Sequence, residues 1–225
     1  MSVILAAVFV GLLAGVAHVL AGADHLAAVA PLAAGGRGRA WRAGFRWGLG
    51  HAAGVTLVGT AAIALERSLP IGALTSWSES AVGVILIGIG IWAGMRARAA
   101  LRDDREAAVH MHDHVAGHGQ GPHGHGHRHL HDGRAALAVG LVHGTAGGSH
   151  ILGVLPALAL PTQAAGIAYL TAFGVGTVAA MTLFASAVGF VGRRASRSGR
   201  RVYAGLVGAS AVLSIAVGAW WLAAS

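Results

Sequence analysis

The chain has 225 residues, 55% of them hydrophobic and 11% charged, and its mean hydropathy is +0.66. This composition predicts an integral membrane protein, and the 36 glycines supply small residues that let membrane helices approach closely. The formal net charge is +8, but the arginines flank apolar segments, so we expect a lipid bilayer and no nucleic acid as partner. The sequence contains no cysteine, which excludes disulfides and thiolate metal ligands.

Six apolar segments follow one another along the chain, at residues 3–34, 44–65, 80–95, 135–160, 164–191 and 202–223. The first has no basic region before it and no convincing cleavage site, so we interpret it as a retained span. The predicted fold class is an all-α integral membrane protein with six transmembrane helices. We expect a first three-helix repeat at 1–105, a His-rich cytoplasmic loop at 106–133 and a second three-helix repeat at 134–225.

Clusters of arginine follow the first, third and fifth segments, whereas the loops after the second and fourth are nearly free of basic residues. The clusters are Arg37, Arg39, Arg42 and Arg46; Arg96, Arg98, Arg102 and Arg105; and Arg193, Arg194, Arg197, Arg200 and Arg201. By the positive-inside rule these loops are cytoplasmic and both termini lie outside. We expect a multi-pass protein of the plasma membrane.

The first segment contains ionisable residues where lipid makes them expensive, because His18, Asp24 and His25 lie within an apolar run. An aspartate near the centre of a spanning helix costs roughly 2.5–3.5 kcal/mol, which makes the group a candidate functional site. On an unbroken helix, residues seven apart lie about 10 Å apart along the axis, too far for one metal ion to join them. We therefore predict a helix break near Gly22, with Pro31 weakening the second piece.

An internal repeat links the first and fourth segments at an offset of 125 residues. Identical residues in register are Gly15 and Gly140, His18 and His143, Gly22 and Gly147, His25 and His150, and Pro31 and Pro156. Weaker matches relate Trp47-Gly-Leu-Gly50-His51 to Phe173-Gly-Val-Gly176-Thr177, and Trp92 to Trp220. Because each repeat has three spans, the second is inverted relative to the first. This arrangement places substrate sites at the repeat interface near mid-membrane, and both first helices are expected to be broken.

The predicted metal ligands are the imidazoles and the carboxylate of the apolar segments. They are His18, Asp24, His25, His51, His143 and His150. Purely structural interpretations stay open: a single histidine can hydrogen-bond to a neighbouring carbonyl, and Asp24 or Ser149 can cap a half-helix. The tryptophans at positions 41, 47, 77, 220 and 221 are typical of interfacial belts.

Residues 110–131 are polar, rich in glycine, and contain nine of the 14 histidines. These are His110, His112, His114, His118, His123, His125, His127, His129 and His131. We expect this stretch to be disordered and to act as an auxiliary cytoplasmic metal buffer or sensor. The alternative is a low-complexity linker whose histidine content is incidental.

Three stretches resemble the UreH-like branch of the nickel/cobalt transporter superfamily, which includes NiCoT permeases and NicO-type proteins. They are HVLAGADHLAAVAPLA at 18–33, WGLGH at 47–51 and GLVHGTAGGSHILGVLPALALP at 140–161. NiCoT permeases carry a His-x4-Asp-His signature, whereas this chain has five residues between His18 and Asp24. The resemblance implies transition-metal transport and does not set its direction, because the superfamily contains uptake and efflux members.

The function predicted from the sequence is secondary transport of a divalent transition-metal ion, nickel or cobalt, with no enzymatic activity and no permanently bound cofactor. A cytoplasmic metallochaperone is a candidate partner. Because metal binding needs neutral imidazole, transport is expected to fall as the pH drops below about 6.5. No P-loop motif is present in the sequence, so energy must come from a gradient or a separate subunit.

Three alternatives remain. A membrane accessory factor for metalloenzyme maturation, of the urease type, would need residues 110–131 rather than His18. An exporter of a small organic solute or anion would be indifferent to metal and would use half-helix N-termini. A membrane hydrolase using the His/Asp set is least favoured, because the sequence offers no convincing nucleophile.

Overall fold

A computed structural model describes the backbone of residues 2–34, 39–64, 71–110, 131–146 and 148–224. Side chains are described for residues 2–34, 39–58, 79–102, 134–146 and 153–224. Over these ranges the chain is all-helical. The helices are α1 (Val3–Ala21), α2 (Ala23–Ala34), α3 (Ala40–Ala64), α4 (Ile71–His110), α5 (His131–Thr145), α6 (Gly148–Leu158), α7 (Gln163–Arg197) and α8 (Arg200–Ala224).

The first apolar segment is broken where the sequence predicted it. Helix α1 ends at Ala21, Gly22 adopts an extended conformation with φ −82° and ψ 98°, and α2 begins at Ala23. The fourth segment is broken at the equivalent place, since α5 ends at Thr145 and α6 begins at Gly148. Each break divides an apolar segment into two half-helices, and the second half contains a proline that weakens it, Pro31 or Pro156.

Several helices have the length and apolar surface of membrane spans. Within the described residues, four stretches qualify by length and composition: Val3–Ala21, Glu79–Arg102, Gln163–Arg197 and Arg200–Ala224. Exposed side chains on them include many large aliphatic ones, whereas much of the interior consists of alanine and glycine. Small residues inside and large apolar residues outside are typical of helices packed within lipid. The protein is a multi-pass membrane protein.

Helices from the two halves of the chain cross each other closely. Helix α1 packs along α7, with Gly15 against the carbonyl oxygen of Phe173 and Gly176 against the carbonyl oxygen of Leu12. A methyl group at either glycine would collide with the facing backbone. The glycines therefore set the distance between these two helices.

The crossing of α3 with α5 has the same construction. Gly140 lies against the carbonyl oxygen of Trp47, and Gly50 lies against that of Leu137. The residues of the two crossings correspond at offsets of 125 and 126 in the sequence. Equivalent pairs are Leu12 and Leu137, Gly15 and Gly140, Trp47 and Phe173, and Gly50 and Gly176.

The third helices of the two halves, α4 and α8, also pack against each other. A Cβ at Gly90 would lie 2.7 Å from the carbonyl oxygen of Ala211, and a Cβ at Gly218 would lie 2.7 Å from that of Gly83. At an offset of 128 residues Gly90 corresponds to Gly218 and Gly83 to Ala211, so the two contacts are equivalent to each other. The same offset relates Trp92 to Trp220. Equivalent positions in α4 and α8 therefore face each other.

Some helices run beyond the predicted segments. Helix α4 extends from Ile71 to His110, past the predicted 80–95 and into the first residues of the expected loop at 106–133. Helix α7 continues to Arg197, and a short turn then leads into α8 through Gly199, whose φ of 124° favours glycine. A hydropathy pattern stops where polar residues begin, whereas the hydrogen-bonded helix continues into them.

Candidate metal site

The break between α1 and α2 brings the first two predicted ligands together. His18 lies in the last turn of α1 and His25 in the first turn of α2, and their ring centroids are 4.7 Å apart. A side chain at Gly22 would collide with the ring of His25 and approach Asp24 Oδ1. Gly22 therefore allows both the change of direction and the close approach of the imidazole to the backbone.

Asp24 joins the two halves of the chain. Its Oδ1 lies 3.0 Å from Nδ1 of His25, and its Oδ2 lies 2.9 Å from Nε2 of His143. All three side chains are buried. Asp24 is the second residue of α2 and both its oxygens face imidazoles, so it does not serve as the helix cap that the sequence left open.

His51 approaches the same cluster from the middle of α3. Its Nε2 lies 3.3 Å from Nε2 of His18, and its ring centroid lies 4.8 Å from that of His25. His51 is fully buried, whereas His18 is half-buried. Together with His25, these rings form an all-imidazole group drawn from α1, α2 and α3.

Trp47 is a member of this cluster that sequence reasoning missed. Its assignment to an interfacial belt was wrong: the side chain is fully buried and its ring stacks on His51 at 4.9 Å and 8°. It also lies 5.4 Å from His25 and 5.2 Å from His143. The sequence contains an indication of this position, because Trp47 precedes His51 by four residues and shares its helix face.

Two buried nitrogen atoms of the cluster stand out. Within the described part of the chain, neither the indole Nε1 of Trp47 nor Nδ1 of His143 has a hydrogen-bond partner. His143 is thus fixed by Asp24 through one ring nitrogen, while Trp47 contributes an apolar wall.

Two groups of ligand atoms are close enough to consider a bound ion. His18, His25 and His51 form one, and Asp24, His25 and His143 form the other. In each, the ligand atoms lie within 4.8 Å of one another, near the separation of about 4 Å that two metal–ligand bonds span. Imidazole with carboxylate suits nickel, cobalt, zinc and copper.

The helix ends around the cluster favour a cation and its counter-charge. His18 and His143 lie in the last turns of α1 and α5, where the carbonyl ends of the helices carry partial negative charge. Asp24 lies in the first turn of α2, where the partial charge is positive and stabilises a carboxylate. Discontinuous membrane helices present such ends to ions near mid-membrane.

An open cavity of about 560 Å³ leads to the cluster. His18, Asp24 and His25 line it on one side, and Ala216, Val217, Trp220 and Trp221 of α8 line it as well. His51 and His143 lie behind these residues and do not line it. The cluster therefore has an approach between the α1–α2 break and the end of α8.

The other predicted ligands have side chains outside the described part of the chain. The side chains of His150 and Ser149 lie outside the described residues, as does that of Trp77. For His110 and His131 only the helical backbone is described, at the end of α4 and the start of α5. The other seven histidines of the auxiliary loop also lie outside the described residues: His112, His114, His118, His123, His125, His127 and His129.

Fold and site thus define a class: an all-helical multi-pass membrane protein with a cluster of histidines and an aspartate whose ligand atoms lie close enough together for a metal ion. Residues 6–220 match the family described as the cytochrome c biogenesis protein transmembrane region, and the chain belongs to this family. No solved structure matches the chain.

Three curated proteins show its similarity to named relatives. The chain is 33% identical over 215 residues to the chloroplast protein FOR GROWTH AND FERTILITY 1 of Arabidopsis thaliana, covering 95% of this chain and 58% of the relative. It is 32% identical over 216 residues to FOR GROWTH AND FERTILITY 2 of the same plant, covering 96% and 55%. The chain therefore spans little more than half the length of these plant relatives.

The third relative is the urease accessory protein UreH of Bacillus sp. (strain TB-90). It is 25% identical over 185 residues, which cover 80% of this chain and 74% of UreH. The resemblance to UreH-like membrane proteins has this support, while membership of the nickel/cobalt transporter superfamily stays a prediction.

Proposed function

We propose that the protein is a secondary transporter of a divalent transition-metal ion, nickel or cobalt, which passes through the buried cluster between two inverted halves. One observation carries the proposal: Asp24, a buried carboxylate within an apolar segment, contacts imidazoles from both halves of the chain. A buried charge in lipid is costly, and its presence beside four histidines is best explained by a cation that binds there.

The packing supports the proposed six-span inverted repeat. Helix α3 has 25 residues, enough to cross a hydrocarbon core of about 30 Å, and the half-helix pairs α1–α2 and α5–α6 occupy equivalent places. If the two halves are exchanged, α1 takes the place of α5 and α7 the place of α3. Gly15 then falls on Gly140 and Gly176 on Gly50, so the two crossings are equivalent. In transporters, rocking of such halves about a central site opens it to each side in turn.

The cavity beside α8 supplies one of the two access routes that this mechanism needs. It is lined by His18, Asp24 and His25 of the cluster and by Trp220 and Trp221 near the end of α8. With arginine-rich loops in the cytoplasm, this end of α8 faces outside and the route opens outward. The proposed location is the plasma membrane, with both termini outside and the His-rich loop inside.

Metal flux in proteoliposomes tests the proposal. Purified full-length protein is reconstituted around a dye quenched by Ni²⁺ or Co²⁺, and wild type is compared with His18→Ala and with a deletion of residues 110–131. We expect flux in wild type and in the deletion, and its loss in His18→Ala. Absence of flux in correctly folded wild type would reject transport.

The second candidate function is that of a membrane accessory factor that binds metal without transporting it. The names of one relative and of the family favour it, since urease accessory protein and cytochrome c biogenesis both describe the making of other proteins. It predicts metal binding without flux, and a requirement for residues 110–131. The proteoliposome comparison separates the two.

A further inference from the structure

The two groups of ligands in the cluster share one residue, His25, and differ in charge. We propose that they are two alternative subsites for one ion: an imidazole subsite that includes the half-buried His18, and a carboxylate subsite whose three residues are all buried. The ion would pass between them by exchanging ligands around His25. The inference rests on the proposed function and adds the order in which the ligands act.

The imidazole subsite consists of His18, His25 and His51. It is compact, with 3.3 Å between Nε2 of His18 and Nε2 of His51, and ring centroids of His25 4.7 and 4.8 Å from theirs. His18 is half-buried and lines the cavity. Since His18 is the most exposed of these ligands, an ion arriving through the cavity meets it first, and imidazoles then replace part of the water shell with nitrogen donors.

The carboxylate subsite consists of Asp24, His25 and His143, all of them buried. Asp24 and His25 line the cavity, whereas His143 does not, and Oδ2 of Asp24 lies 2.9 Å from Nε2 of His143. A carboxylate offsets part of the charge of a divalent ion, which matters most where water is excluded. This subsite is therefore the stronger one and includes the first ligand from the second half of the chain.

Because both subsites need His25, only one of them can be occupied at a time. The same imidazole is needed to complete either group, and two divalent ions a few ångströms apart would repel each other strongly. Occupancy is therefore one ion per cluster, at one subsite or the other. Movement of the ion from His18 and His51 to Asp24 and His143 carries it from ligands of the first half to a ligand of the second.

Binding of Co²⁺ to selected variants tests the inference. All samples are full-length protein whose nine histidines at 110–131 are replaced by serine, which removes metal binding by that segment. Titration gives the number of ions bound, visible absorption reports the ligand field of Co²⁺, and infrared difference spectra report the Asp24 carboxylate. The variants are His51→Ala, His143→Ala and His25→Ala, and Thr177→Ala is the matched control, since Thr177 occupies the position equivalent to His51.

We expect one Co²⁺ in wild type and in Thr177→Ala, with a shift of the carboxylate band. His51→Ala should keep the ion and the shift. His143→Ala should keep the ion but lose the shift, because the ion then occupies the imidazole subsite. His25→Ala should lose saturable binding. Circular dichroism and gel filtration in detergent identify any variant that has not folded, and His51→Asn and His143→Asn then replace such variants.

Two results would overturn the inference. Loss of binding in folded His51→Ala and His143→Ala, as complete as in His25→Ala, would indicate a single joint site. Two ions bound at once by wild type would show that the subsites are not exclusive. Failure of the proposed function looks different: the pattern of Co²⁺ binding would hold while metal flux is absent.

Discussion

The two halves of the molecule share a backbone plan but not a chemistry. Their helices break at equivalent places and cross through equivalent glycines, and each places a histidine, His18 or His143, in the turn before the break. Beyond this the halves diverge. The first half has Asp24, His51 and Trp47 where the second has Ser149, Thr177 and Phe173. A symmetric framework thus creates the site, and the first half gives it its charge and most of its imidazoles.

The largest effect is expected where this asymmetry is greatest. Asp24→Asn keeps the shape but removes the charge that faces His25 and His143. Loss of one partner of a buried charge pair costs about 2–5 kcal/mol of binding, so metal flux should fall by more than about 30-fold. Ser149→Ala, at the equivalent position of the second half, should leave flux within about twofold of wild type. Equal losses in both variants would contradict the asymmetry.

A methyl group at the first break should also damage the site. Gly22→Ala forces the ring of His25 to move, because the new Cβ occupies its place. Loss of this positioned imidazole should lower Co²⁺ affinity by roughly 10- to 100-fold, the range seen when support of a metal ligand is lost. Gly88→Ala on α4, where nothing lies within 4 Å, is the control for substitution of a helical glycine. Unchanged affinity in Gly22→Ala would show that His25 is not a ligand.

The access route can be tested because the sequence contains no cysteine. A single cysteine at Ala216 replaces a residue that lines the cavity, whereas Val212, a turn earlier on α8, is not among the lining residues and is 68% exposed. A charged thiol reagent should modify Ala216→Cys, and bound metal should slow that modification several-fold, since the ion and the reagent share one path. Val212→Cys faces lipid and should react slowly with or without metal. Modification of Ala216→Cys at the same rate with and without bound metal would argue against this route.

The smallest effects test the likeness of the halves. Gly15→Ala and Gly140→Ala each place a methyl group against a facing carbonyl, that of Phe173 and that of Trp47. Overpacking of this kind costs roughly 1–3 kcal/mol, and equivalent crossings should lose similar thermal stability in detergent. A large loss at one glycine with none at the other would contradict the proposed repeat.

Much of this arrangement could be predicted from the sequence because its causes are local or repeated. Gly22 within an alanine-rich segment indicates a break, and the repeat predicts that His143 faces the same centre as His18. The role of Trp47 could not be predicted from composition, since a tryptophan near the start of a span is equally typical of a membrane interface. Its burial depends on tertiary packing of α3 against α2 and α5.

The most direct test of the central claim is the position of the metal itself. Anomalous diffraction from crystals of the protein grown with Co²⁺ or Ni²⁺ locates the ion independently of any activity. The account predicts one anomalous peak at the α1–α2 break, about 2 Å from a nitrogen of His25. A structure whose metal lies only among residues 110–131, with the cluster at Asp24 lacking a peak, would contradict it.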